Sequence, residues 1–326
     1  MNNPGVQMAA SPRTPSFYMN SGNRLSIWDD PSIQGGIVHP EPHRSLTLWS
    51  AMERINSGFF DELDMRILKV LGDAIAANED QIKRYMKSKT TRSQVSNHLR
   101  KLREYSLVNR WDISSDLFPV EGEKKPPAPF TIGLTGFSVL KQLYHSSFFM
   151  APHRWNSQGL PNMQRFVATN ELRCQLVEEN RLSAWSWNPV VLNTPEYKRP
   201  LAVAEVRSPK GNFNFVIDRV QQGRDYVGYL KTKLQQWEDI QSEGLPFSFK
   251  NISGINPSVF IIYVSTKKIA EKIAQEIVLE KKKLNIWFCL EDELIEYGLA
   301  HAFYKPITDG KLTRLQTSFL LNPHKE

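Results

Sequence analysis

Between Gln81 and Trp111 the chain carries nine Lys or Arg residues against a single acid, Glu104. Ser, Gln and Asn side chains are interleaved with these cations, and that mixture has a specific chemistry. Arg pairs bidentately with guanine and Asn or Gln with adenine, so such side chains along one helix suit the edges of bases in a major groove. Arg92, Ser93, Gln94, Ser96, Asn97, Arg100 and Lys101 are the base-reading candidates. Lys83, Arg84, Lys87, Lys89, Arg103 and Arg110, with Lys124 and Lys125 further on, are expected to neutralise phosphates. Their contribution would fall with salt at a logarithmic slope of about −0.9 per phosphate. Two plainer readings compete: a solvated basic face, or a helix-turn-helix used only for protein contacts. Double-stranded RNA fits less well, because side chains cannot read the narrow A-form major groove.

A second possible chemistry lies between Leu201 and Asp218. A magnesium-dependent nuclease of the PD-(D/E)xK type needs an Asp at the start of one strand and Glu-x-Lys on the next, two carboxylates for the metal and a Lys for the attacking water. Here Leu201 follows Arg199-Pro200, and Val216-Ile217-Asp218 stands where Glu-x-Lys is required. The expectation is therefore no catalytic residue, no metal ligand and no cofactor. Asp218-Arg219 is expected to cap or pair at a strand-to-helix junction. Glu205 and Asp218, with Arg207 or Lys210, form a substitute carboxylate pair in the alternative reading. The seven His are scattered, no Walker A or GxGxxG motif occurs, and Cys174 and Cys289 read as core residues. Trp185, Trp187 and Trp237 read as core or interface rather than as stacking platforms.

The elements that must position these groups follow from apolar spacing. Asp61 is a candidate N-cap, with Leu63, Ile67, Leu68 and Leu71 on one face of the helix behind it. A short helix over 79–87 would bury Ile82, Tyr85 and Met86. A longer one, from Thr91 or Ser93 to Tyr105, would bury Val95, Leu99 and Leu102 beneath the polar face. Strands at 106–113 and 130–134, joined by a Pro-rich loop, complete the order of a winged helix, centred on 60–143. Thr135 and Gly136 open a closing helix, and 46–55 reads as a further short one. Beyond about residue 160, helices at 166–176, 224–240 and 269–283 alternate with strands at 184–187, 201–206, 212–218, 259–264 and 286–290. That pattern indicates an α/β domain with a parallel or mixed sheet. The expected class is thus an α+β winged helix over 46–148, then a nuclease-like α/β domain with a mixed central sheet over 160–326 that serves interaction or dimerisation. Residues 1–45 show no periodicity and are expected to be a disordered arm.

With 326 residues the chain has enough length for two cores, and its net charge of +7 favours a polyanionic partner. No apolar run approaches the roughly 18 residues of a membrane span, and no secretory h-region is evident, so a cytoplasmic protein without a membrane partner is expected. A homodimer is expected because two-fold binding doubles the site that is read.

The stretches FDELDMRILKVL, QVSNHLRKLREYSLVNRW and FTIGLTGFSVL resemble the replication-relaxation proteins of plasmids and other mobile elements. So do Arg199-Pro200 followed by FNFVIDRVQQGRDYVGYLKTKLQQW, and VFIIYVSTKKIAEKIAQEI. The resemblance spans about residues 60–297. It implies a sequence-specific double-stranded-DNA-binding protein acting in replication, relaxation or transfer, with replication or transfer proteins as partners. A transcriptional repressor with a sensing or dimerisation domain is the first alternative, and a metal-dependent nuclease the second.

Overall fold

The computed structural model describes residues 16–20, 23–41, 43–86, 90–114, 127–145, 147–192, 194–223, 225–245 and 247–321. In chain order the elements are β1 (Phe17–Asn20), β2 (Asn23–Ser26), β3 (Gln34–Val38), α1 (Leu48–Asn56), α2 (Glu62–Ala74), β4 (Ala76–Asn78), α3 (Glu79–Met86), α4 (Arg92–Glu104), β5 (Val108–Ser114), β6 (Pro129–Ile132) and α5 (Leu134–Leu143). There follow α6 (Trp155–Glu178), β7 (Leu182–Trp187), β8 (Ala202–Val206), β9 (Phe213–Arg219), α7 (Tyr226–Ser242), β10 (Ser258–Val264), α8 (Lys267–Ile277), β11 (Ile286–Leu290), α9 (Glu291–Tyr297), β12 (Phe303–Pro306) and β13 (Leu312–Arg314). The chain is thus mixed α and β, with nine α-helices among the described residues.

The first half is built on an antiparallel sheet of order β3-β5-β6-β4. Helices α2, α3 and α4 stand against it, and their apolar faces meet in one core that includes Phe60, Ile67, Leu68, Leu71, Ile82, Val95, Leu99, Leu102, Phe130 and Leu140. Helix α2, ahead of the basic region, and α4, within it, are both firmly started. Asp61 and Asp64 form a capping box on α2, and Thr91 and Gln94 form one on α4, so orphan amides at each N-terminus are satisfied by side chains three residues apart. Gly136 lets α5 lie directly on the start of β5. A Cβ there would stand 2.0 Å from the carbonyl oxygen of Leu107.

The second half is a seven-stranded sheet of order β13-β12-β11-β10-β9-β8-β7. Strands β9, β10 and β11 run parallel, and antiparallel pairs extend the sheet on either side. Alternation along the strands supplies both faces. Ala202, Ala204, Val206, Phe213, Phe215 and Ile217 pack on the α6 side, while Val203, Val216, Phe260 and Ile262 pack with α7 and α8 on the other. Helix α6 turns sharply at Gly159, whose φ of 63° is open to glycine, two residues before Pro161.

Three features depart from the sequence expectations. Residues 17–20, 23–26 and 34–38 of the expected arm form β1, β2 and β3. Within the arm, Ile27 and Trp28 are 1% and 2% exposed. They enter the core shared with Trp155, Phe166 and Tyr263, and β3 pairs with β5. The helix expected over 166–176 begins earlier, at Trp155, and runs to Glu178. The helix expected to reach Lys283 ends at Ile277, where Val278 adopts a left-handed conformation with φ 56°. No helix of the described residues is long and apolar enough to cross a membrane.

Candidate nucleic-acid interface

Helix α4 presents the polar face that the basic stretch suggests. Arg92, Ser93, Gln94, Asn97 and Arg100 are exposed, while Val95, Leu99 and Leu102 are buried beneath them. Asn97 Oδ1 accepts from Arg100 Nη2 at 3.3 Å, and Arg92 Nη2 stands 3.4 Å from Asp80. Gln94 is partly committed, because its Oε1 accepts the Thr91 amide at 2.8 Å. The Ser96 hydroxyl donates to Glu79 on α3 and so is turned inward.

Lys101 does something other than read bases. Its ammonium lies 2.7 Å from Asp64, whose side chain is 0% exposed, and it also donates to the carbonyl of Phe59. His98 Nδ1 reaches the other oxygen of Asp64 at 2.6 Å. The ligand atoms of Asp61, Asp64 and His98 come within 4.8 Å of one another. Asp64 nevertheless spends its oxygens on His98, Lys101 and the Asp61 amide. The arrangement is a polar clamp that holds α4 at a fixed angle on α2, since a buried carboxylate must keep its partners.

The phosphate-contact candidates divide in the same way. Arg84 is corrected from that role. It donates to Glu171 and Glu178 of α6 over 2.6–2.8 Å, with only 18% of its side chain exposed. Gln81 Nε2 donates to the Val167 carbonyl at 2.8 Å and Tyr85 to Asn170 at the same distance, so α3 turns this face to the second half of the chain. Arg110 is exposed, and Lys83 and Arg103 are half-buried. Burial lowers the pKa of the Arg103 guanidinium, Arg110 lowers it further, and its Nε has no partner. Lys87, Lys89, Lys124 and Lys125 lie outside the described residues.

In the second half Leu201 is buried at the edge where the strand register carries it toward Asp218, because Ala202 pairs with Ile217. Glu205 pairs in register with Asn214, four residues from Asp218. At roughly 3.4 Å per residue the two positions stand about 14 Å apart along the sheet, and the structure does not bring them together as a pair. Asp218 instead meets Lys233 of α7 at 2.8 Å, a lysine whose partner the sequence reading does not anticipate. The signal available was its position on the apolar side of an otherwise polar helix, one turn before Trp237. Trp237 is buried and donates to the Lys198 carbonyl, and Trp187 donates to the Asp73 carbonyl across the two halves. Cys174 and Cys289 are free and buried. Burial pushes the Cys174 thiol up to about 12, so it has no nucleophilic character at neutral pH.

No family model matches the chain, and neither a curated protein nor a solved structure matches it.

Proposed function

We propose that this protein binds double-stranded DNA through α4, and that α2, β4, α3, α4, β5 and β6 constitute a winged helix. The observation that carries the reading is the outward face of α4, where Arg92, Ser93, Asn97 and Arg100 are exposed above a buried apolar ridge. The element order agrees with it, as does the sheet order β5-β6-β4, in which the strand before the second helix joins the two that follow the third. Lys83, Arg103 and Arg110 then serve the flanking phosphates. Arg103 and Arg110 repel each other and gain from an anion between them.

The second half, with helix α6, the antiparallel run β7-β8-β9, helix α7 and the parallel strand β10, is read as a nuclease-like fold that has lost its catalytic carboxylates and serves association. On this reading the protein acts as a sequence-specific factor of a plasmid or mobile element, in replication, relaxation or transfer, and as a homodimer. Selection of bound duplexes from a random library, followed by anisotropy on the enriched site, tests the DNA reading. Replacing Arg92, Asn97 and Arg100 together with Ala should abolish preference for that site while leaving the thermal unfolding midpoint in place. Unchanged binding by the triple variant overturns it.

A further inference from the structure

The carboxylate of Asp218, 4% exposed at the end of β9, is surrounded by more positive charge than it can balance. Lys233 of α7, 1% exposed, holds its Oδ2 at 2.8 Å. Arg165 of α6 approaches Oδ1 at 3.6 Å, beyond hydrogen-bond reach, and Oδ1 has no hydrogen-bond partner. The Arg165 side chain is 27% exposed, and its Nε is likewise without a partner. Lys198, from the connection between β7 and β8, places its ammonium 4.8 Å from the centre of the Tyr229 ring, and the Lys233 ammonium lies 5.5 Å from the same ring. Three cations therefore gather around one carboxylate and one phenol, brought together from α6, β9, α7 and a loop.

We propose that this cluster is a phosphate-binding site, in which a phosphate or phosphodiester group sits against Arg165, Lys198 and the Tyr229 hydroxyl above the Asp218–Lys233 pair. A divalent cation would face three positive side chains, and the Asp218 carboxylate already has Lys233 on one oxygen and Arg165 near the other. An anion supplies the charge that is missing. The planar guanidinium of Arg165 matches two oxygens of a phosphate, and a phenol that is 49% exposed can donate to a third. The state of Lys233 agrees, because burial lowers its pKa, Asp218 opposes that, and Arg165 and Lys198 lower it further. A bound anion would relieve this repulsion. The inference goes beyond the α4 reading and does not depend on it. Two sources share the chemistry: the backbone of a nucleic acid, or a free phosphorylated small molecule.

The test uses the full chain in phosphate-free buffer, titrated by calorimetry with inorganic phosphate and separately with a short oligothymidine. The wild type, the R165Q/K198Q double variant and the R92A/N97A/R100A variant are compared. Binding by the wild type, weakened about tenfold or more in R165Q/K198Q, corresponding to about 1.4 kcal/mol, and retained in the α4 variant, is the expected result. Oligothymidine binding that follows the same pattern identifies the nucleic-acid backbone as the source, and inorganic phosphate binding alone identifies a small phosphate. K198Q alone, at a half-buried position, carries the comparison where the double variant does not fold. Failure of the wild type to bind either probe, or equal binding by the Arg165 and Lys198 variants, overturns the proposal and leaves the α4 reading untouched.

Discussion

Arg219, at the end of β9, and Glu291, the first residue of α9, form an ion pair whose two side chains are both fully excluded from water. Ser26 donates its hydroxyl to the same carboxylate at 3.0 Å, and nearby Asp29 accepts from Ser265 and from the Gln222 amide. The pair thus lies where the carboxyl ends of the parallel strands meet the N-terminal segment.

Burial raises the Glu291 carboxyl, to about 7, by more than Arg219 and Ser26 lower it. In the folded state it therefore holds its proton at a pH where the unfolded chain has released it. This contribution to stability is complete below about pH 4.5 and is lost as pH rises through about 7. The unfolding free energy of the wild type, measured relative to E291Q, should fall between pH 5 and pH 8, by on the order of 3 kcal/mol. A difference that stays flat over that interval would show that the carboxyl is ionised throughout.

Arg84 bridges α3 to α6 through two carboxylates, and removal of the guanidinium takes this cation from both in a half-buried site. R84M should lower the unfolding free energy by about 3 kcal/mol in denaturant titrations. Affinity for the selected duplex, measured under native conditions, should change little. A loss of affinity with normal stability would return Arg84 to the DNA interface.

Lys101 and Arg100 are neighbours with different duties. K101A removes the cation from the buried Asp64, leaving it His98 and the Asp61 amide, and should cost about 1–3 kcal/mol of stability. R100A should leave the melting curve alone and reduce DNA affinity. If Arg100 contacts a phosphate rather than a base, the slope of log K against log salt should fall by about 0.9 in the variant. Equal melting temperatures for K101A and the wild type would refute the clamp.

Trp28 lies in a segment whose composition suggests no structure, yet it is 2% exposed and shares a core with the seven-stranded sheet. W28A should destabilise the chain by about 3–5 kcal/mol, as truncation of a buried aromatic does. An unfolding midpoint unaffected by the substitution would mean that the N-terminal segment docks without supporting the fold.

The helices of the first half were legible because α2, α3 and α4 each set apolar residues at three- and four-residue steps, and because Asp61 and Thr91 are local caps. The parallel strands β10 and β11 were legible as short continuous apolar runs. Strands β1 to β3 were not. A segment rich in Gly, Pro, Ser and Asn carries no period of its own, and β3 is ordered by its partner, β5. Strand β4, three residues directly after α2, is too short to show alternation, and β12 and β13 likewise depend on the sheet they join.

The candidate site divides along the same line. That residues 92–100 form a helix with cations and amides outward is determined by the sequence alone, since helical geometry fixes which side chains share a face. Whether a given cation is free to meet a ligand was decided only by the tertiary structure. Arg84 and Arg100 are the same residue type on neighbouring helices, yet one is held between Glu171 and Glu178, which lie 87 and 94 positions away in the chain. Partners at such separations leave no local trace, because a charge is satisfied by whatever the fold brings within a few ångströms of it.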